Sequence, residues 1–245
     1  MSEALKIQSS EQAYQKVITS HEDTLAMLDG FFKDERVRWN NFFANLKADH
    51  PLSTQLPAES LVTYLRDNKI KAGNALDIGC GNGRDSIFLA QHGFRVDALD
   101  ISDEAVTLTS RNAKEKGVTV QAHRCALFDF DVEAASYDLV HDSGLLHHLF
   151  PHRRPQYIDY VSRALKTGGF LSLVLFNEKM GTTANDWELY EKRSMEGGMS
   201  YPLDKLTTCL GQKFKLIEYR DMKNYSAHDQ VFGHDFLAAS LWRKI

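Results

Sequence analysis

The stretch "ALDIGCGNGRDSIFLAQHGFRVDALDIS", residues 75–102, constrains this chain more than any other. A short apolar run leads into three glycines within five residues, Gly79, Gly81 and Gly83, and a helix-like run then ends at Gly93. Strand, tight glycine turn and helix form a β–loop–α unit whose turn lies at the carboxyl edge of a sheet. The spacing is GxGxG. A dinucleotide-binding turn reads GxGxxG/A, with the helix N-terminus facing a pyrophosphate and the third glycine allowing helix and strand to pack closely. Here the third glycine comes one residue early, and Asp77 stands at the strand end just before the turn. A carboxylate at that place repels a diphosphate and attracts an ammonium group.

A second acid supports this reading. Asp100 closes the next strand, where a carboxylate can accept hydrogen bonds from both ribose hydroxyls. Ile101, beside it, is placed to lie against an adenine face. The ligand should therefore combine an adenosine with a free 2′-OH, a cationic amino-acid end and no phosphate. S-adenosylmethionine has all three. An empty tight turn needs neither acid, and a nicotinamide-nucleotide dehydrogenase fails on the early glycine and on Asp77.

From about residue 73 short apolar strands alternate with helices. "NALDIG", "FRVDALD", "VTVQAHRC", "YDLVHDSG" and "GFLSLVLFN" read as strands, and "RDSIFLAQHG" and "RRPQYIDYVSRAL" as helices. A further helix opens at Ser102, with Asp103 and Glu104 in its first turn, and closes at Gly117. Strict alternation argues a parallel sheet with helices on both faces. "FKLIEYR" and "HDFLAASLWRK" follow with no helix between them and suggest an antiparallel pair at the sheet edge. The expected fold is α/β and Rossmann-like: a seven-stranded, mostly parallel sheet with an antiparallel C-terminal edge strand. Residues 1–57 are expected to form an N-terminal helical cap carrying Trp39, Phe42 and Phe43, and residues 58–245 the sheet domain. With 25% charged residues and a net charge of −4, the chain has no global basic field, so no nucleic-acid partner is expected. Three scattered cysteines without a CxxC pair point to a reducing, cytoplasmic setting. No secretory signal stands at the N-terminus and no apolar run reaches the roughly 18 residues of a membrane span, so no membrane partner is expected. A monomer or homodimer is expected.

"LDIGCGNGRDSIFLAQHG", "VDALDIS", "YDLVHDSGLLHHL" and "LKTGGFLSLVLFN" resemble, in order and spacing, the successive motifs of class I S-adenosylmethionine-dependent methyltransferases, over residues 58–245. More narrowly, "HDSGLLHHLFPHRRPQY" and "FGHDFLAASLWRK" resemble a bacterial small-molecule group related to thiol and tellurite methyltransferases. The resemblance implies that backbone at Gly79, Cys80, Gly81 and Gly83 approaches the methionine part of the cofactor. It implies Asp77 near the ammonium, Asp100 on the ribose and Ile101 by the adenine. Many members carry an acid for the adenine amino group after the third strand. Ala126 stands there in this chain, so backbone at Ala126 and Leu127, or Asp129 in a shifted register, takes that contact. Asp142, His147 and His148 fall in the family's methyl-transfer neighbourhood and are the catalytic candidates: Asp142 to orient the substrate or hold an amine, the histidines as general bases. Trp39 and Phe43 would line the substrate cavity as part of a lid, Arg153 or Arg154 would meet an anionic substrate group, and Tyr14 and residues 198–202 would reach the rim. His148 and His152 are four apart, but Pro151 between them starts a helix, so no metal site is expected.

The expected function is methyl transfer to a small-molecule N, O or S nucleophile. Two alternatives stay open. An RNA or protein methyltransferase would have only "RRPQYIDYVSRALK" as a basic docking stretch, and "DSGL" stands where nitrogen-targeting nucleic-acid enzymes often carry NPPY or DPPY. A non-catalytic regulatory protein binding S-adenosylmethionine or S-adenosylhomocysteine would need only the cofactor half of the site.

Overall fold

A computed structural model of the chain describes residues 17–32 and 34–245. Tyr14 lies outside the described residues. Two helices lead, α1 (His21–Asp29) and α2 (Glu35–Ala44), followed by α3 (Glu59–Arg66). The sheet and its crossovers then run β1 (Asn74–Ile78), α4 (Arg84–Gln91), β2 (Arg95–Asp100), α5 (Asp103–Glu115), β3 (Gln121–Arg124), β4 (Tyr137–Ser143), α6 (Arg154–Ala164) and β5 (Leu165–Phe176). The chain ends with α7 (Asp186–Lys192), α8 (Leu203–Leu210), β6 (Phe214–Asp221) and β7 (Leu237–Lys244).

Among the described residues the strands form one seven-stranded sheet in the order β3-β2-β1-β4-β5-β7-β6. β1 pairs in parallel with β2 and β4, β2 with β3, and β4 with β5. β7 runs antiparallel to both β5 and β6. The antiparallel C-terminal pair expected at the sheet edge is there, with β7 on the inside and β6 outermost. The burial pattern gives the reason: β7 is buried from Leu237 to Trp242, whereas β6 alternates and leaves Lys215, Glu218 and Arg220 outside the fully buried class.

Successive residues on a strand face opposite sides, and the two largest of three apolar clusters follow from that. Leu76, Ile78 and Val140 join Tyr157 and Val161 of α6 and Leu206 and Leu210 of α8. Ala75 and Leu139 join Leu61 and Tyr64 of α3 and Leu89 of α4. Helices thus cover both faces. Local signals set the element ends. Ser102 caps α5 by accepting from Ala105 N–H at 3.2 Å, and Gly93 leaves α4 with φ +85°. Strand order reverses between β1 and β4, which opens a crevice outside their carboxyl ends, the usual ligand position in such sheets.

Candidate active site

The glycine turn is held open by its backbone. Gly79, Gly81 and Gly83 have φ of +75°, +57° and +82°, a region costly for any residue with a Cβ. Gly79 and Cys80 N–H both donate to Leu99 O, at 2.8 and 2.9 Å. A Cβ on Gly83 would lie 2.8 Å from the Thr109 side chain, and one on Gly81 would lie 3.2 Å from the Phe43 ring. α2 therefore packs directly over the turn. Asp100 ties the same turn to β2: Oδ2 accepts from Gly81 N–H at 2.9 Å and Oδ1 from Ser102 N–H at 2.9 Å. Burial raises its carboxyl, against the pull of these donors.

Beneath the turn lies a buried charge network. Asp77 accepts from Ser86 Oγ at 2.5 Å, and burial, opposed by His141, pushes its carboxyl up to about 6. Asp85 accepts from Ala58 N–H at 2.7 Å and Arg84 Nε at 3.2 Å, and lies 3.3 Å from His141 Nε2. Burial would raise the Asp85 carboxyl, but the charge of Arg84 and the bond to His141 outweigh it and hold it well down. Burial would lower His141, and the bond and charge of Asp85 raise it instead. Arg84, the first residue of α4, is only 7% exposed. It donates from Nη2 to Ser143 Oγ at 3.0 Å and lies 3.6 Å over the Phe232 ring. Its Nη1 is buried and has no hydrogen-bond partner among the described residues.

One cavity of about 950 Å³ joins this network to an aromatic chamber. Its first half is lined by the glycine turn with Asp77, Asp100 and Ile101, and by Ala126, Leu127 and Asp129. Ala126 precedes a short turn, Leu127–Asp129, that wraps this end. The second half is lined by Trp39, Phe43, His147, His148, Phe150, Phe176 and Phe236. Trp39 meets the His148 ring edge-on at 4.9 Å, and His147 stacks on Phe176 at 3.8 Å with planes 8° apart.

The two histidines differ. His147 Nδ1 accepts from Phe176 N–H at 3.1 Å. Burial, and then His148, hold His147 well below its usual range, so it is neutral with its proton on Nε2. His148 makes no such bond: its Nδ1 is buried without a partner among the described residues. Burial, with the Arg38 charge, pushes it down to about 3.

Two expected site residues are engaged elsewhere. Asp142 is fully buried and does not line the cavity. Its carboxylate accepts from Gly144, Leu145 and Leu146 N–H at 3.1, 2.7 and 3.1 Å, and from Tyr157 Oη at 2.7 Å. It shapes the loop that carries His147 and His148, and cannot hold a substrate. Arg153 reaches the cavity wall, but its guanidinium is taken by Asp29 Oδ2 at 2.5 Å, Glu22 Oε1 at 2.8 Å and Gln156 Oε1 at 2.9 Å. It fastens α1 rather than meeting an anion. Arg154 is likewise paired, with Asp186 at 2.9 Å. His152 bonds Asp29 at 2.7 Å and Tyr190 at 2.6 Å.

Sequence reasoning missed Arg84, Asp85, His141, Phe176 and Phe236. Arg84 carried a usable signal, because a cation in the first turn of a helix sits at the unfavourable end of the helix dipole. Phe176 is the last residue of β5, at the same carboxyl edge as the other site residues.

The fold is similar to that of solved S-adenosylmethionine-dependent methyltransferases, and part of the sheet domain matches a family of methyltransferases. A family model described as a methyltransferase domain matches residues 75–169. An uncharacterized methyltransferase of Synechocystis sp. is 35% identical over 121 residues, 49% of this chain and 52% of that protein. The 2-heptyl-1-hydroxyquinolin-4(1H)-one methyltransferase of Mycobacteroides abscessus is 26% identical over 134 residues, 54% of this chain and 59% of that protein. The matched region thus spans a little over half the length of these two relatives. Among solved structures, the 1,6-didemethyltoxoflavin-N1-methyltransferase of Burkholderia thailandensis, with bound 1,6-didemethyltoxoflavin and S-adenosylhomocysteine, superposes with a TM-score of 0.61. It is 19% identical and covers 94% of this chain and 92% of that one, which is a likeness of fold.

Proposed function

We propose that this chain transfers a methyl group from S-adenosylmethionine to a small, planar aromatic or heteroaromatic acceptor. The observation that carries the reading is the single cavity running from Asp100 and Ala126, past the glycine turn, into the chamber of Trp39, Phe43, His148 and Phe176. Asp77, backbone at Gly79, Cys80, Gly81 and Gly83, and Asp100 would hold the cofactor's amino-acid and ribose parts. Ile101, Ala126 and Leu127 would flank its base. When bound, the cofactor supplies an electrophilic methyl group. The chain's own part is to hold the acceptor in line and keep water out. Trp39 and Phe43 come from residues 1–57, which we take as a cap closing the cavity over a methyltransferase domain at 58–245.

Of the two histidines, His148 has the ring nitrogen without a partner. With its basicity held low by burial and the Arg38 charge, its part is to accept a hydrogen bond from a ring N–H or a phenolic O–H and so orient the acceptor, a positioning worth roughly 10²-fold. The Nδ1 of His147 already accepts from Phe176 N–H. A thiolate or chalcogenide would need neither such positioning nor a flat aromatic chamber. The named substrates of the Mycobacteroides and Burkholderia relatives, a hydroxyquinolone and a didemethyltoxoflavin, fit the same reading.

The test is transfer of labelled methyl from S-adenosylmethionine to a panel of phenols, nitrogen heteroaromatics, thiols, RNA and protein. Labelling of flat N–H or O–H acceptors, with His148→Ala lowering kcat about 100-fold, is expected. Labelling confined to thiols, RNA or protein, or none at all, would overturn the reading.

A further inference from the structure

His147 is fixed as a hydrogen-bond donor, and the protein supplies nothing for it to donate to. Its Nδ1 lies 3.1 Å from Phe176 N–H. A backbone N–H can only donate, so Nδ1 carries the lone pair and the ring proton sits on Nε2. A protonated imidazole, with N–H on both nitrogens, would lose this bond. The ring cannot turn to seek another partner. It stacks on Phe176 at 3.8 Å, and the His147 carbonyl accepts from Met199 N–H at 2.8 Å. Among the described residues no group accepts from Nε2–H, and the residue is only 3% exposed.

Gly144 keeps the Nε2 edge open. It has φ +116°, where glycine is favoured, and a Cβ there would touch Nε2 at 3.6 Å and Cε1 at 3.5 Å. Gly144 and His147 both line the cavity. Their loop also packs on the glycine turn, since a Cβ on Gly79 would lie 3.0 Å from Leu145 Cβ. A rigid donor in an aromatic chamber calls for an oxygen or nitrogen that arrives with the ligand. Arg38 and Arg153 are already paired, with Glu35 and Asp29, so an anionic group would find no free charge in either. A neutral carbonyl suits the neutral N–H. The His147 and His148 rings lie 4.3 Å apart, which lets them serve neighbouring atoms of one flat molecule.

We propose that the methyl acceptor bears a carbonyl beside its reacting N–H or O–H, as in a cyclic lactam or an ortho-hydroxy ketone, and that His147 Nε2–H holds that carbonyl while His148 receives the reacting N–H or O–H. This rests on the reading of the site above and narrows its substrate class. The chemistry gives a reason. A neighbouring carbonyl makes the N–H or O–H more acidic, and a donor on its oxygen stabilises the charge that develops there. That suits a site whose His148 is only weakly basic. The acceptor's nitrogen or oxygen gains the methyl group, the sulfur keeps the bonding pair as a thioether, and the displaced proton leaves to solvent.

Labelled-methyl transfer by the full chain is compared across matched acceptors, 3-hydroxyquinolin-4-one against 3-hydroxyquinoline and oxindole against indole. The carbonyl-bearing members should be favoured at least about 10-fold in kcat/KM. His147→Phe, which keeps a stacking ring and removes the donor, should cut that preference to about threefold or less and leave S-adenosylhomocysteine affinity within about twofold by calorimetry. Histidine nitrogen spectra of the wild type give a second readout that stands even if His147→Phe fails to fold. In the S-adenosylhomocysteine complex, the His147 Nε2 proton should shift on adding 3-hydroxyquinolin-4-one and stay in place with 3-hydroxyquinoline. Flat acceptors labelled without a carbonyl preference, a preference that survives His147→Phe, an unmoved Nε2 proton, or a defect confined to S-adenosylhomocysteine binding would overturn the assignment of His147 alone. Labelling of no flat acceptor at all would instead remove the reading of the site and this assignment with it.

Discussion

Asp77 and Asp142 sit near the carboxyl ends of β1 and β4, both deeply buried, and their donors give them different work. Asp142 satisfies three backbone N–H groups and one phenol. Asp142→Ala should therefore cost about 2–4 kcal/mol of stability in urea unfolding, because it strands buried donors, while Tyr157→Phe should cost about 1 kcal/mol. Asp77 has one side-chain donor and a carboxyl raised to about 6. A raised folded value favours the neutral form, so the stability Asp77 gives the ligand-free protein is present below about pH 4 and is lost as pH rises through about 6. Ligand binding has the opposite sign, since an ammonium group needs the ionised form. S-adenosylhomocysteine affinity should fall about tenfold from pH 7 to pH 5 by calorimetry, and Asp77→Asn should flatten that dependence. The acid at the end of β1 was legible from sequence because its neighbours in the chain, Gly79, Gly81 and Gly83, define what it faces. Asp142 was misread because its partners are backbone groups of the following loop, whose path no residue type announces.

At the scale of elements, the alternation of strands and helices was legible because short apolar runs buried on both faces, such as Leu171, Leu173, Val174 and Leu175 of β5, recur between helix-like stretches. The placement of β7 between β5 and β6 was not, since the order of two antiparallel strands depends on pairing partners distant in sequence. The fastening of α1 was hidden for the same reason. Arg153 and Asp29 lie 124 residues apart, yet Asp29 receives both Arg153 and His152. Phe32 adds a stack on Phe150 at 4.4 Å. This cluster ties the leading helices to the turn Pro151–Arg153 and so to the wall of the cavity. The pair is partly solvated, so its global worth is modest. Asp29→Ala should change overall stability by no more than about 1 kcal/mol, speed proteolysis within residues 17–32, and raise KM for the acceptor several-fold more than it alters kcat. A large loss of global stability with unchanged KM would assign α1 to the scaffold rather than to the closure of the site.

For the molecule as a whole, the reversal of strand order at β1 and β4 places one crevice over the ends of several strands, and Trp39 and Phe43 of α2 line the cavity there. The half of the cavity around the glycine turn could be read from one contiguous stretch, because turn, acid and helix follow each other in the chain. The aromatic half could not. Trp39, His148, Phe176 and Phe236 come from four separate segments and meet only after folding. No helix among the described residues is long and apolar enough to cross a membrane. A ligand at 100 times its Kd should raise stability by about 2.7 kcal/mol, which thermal unfolding can follow. The most direct measurement is calorimetric titration of the purified chain with S-adenosylhomocysteine and, in parallel, with NADH. Saturable binding of S-adenosylhomocysteine at one site per chain, with no heat from NADH, is the expected result; binding of NADH with none of S-adenosylhomocysteine would contradict it.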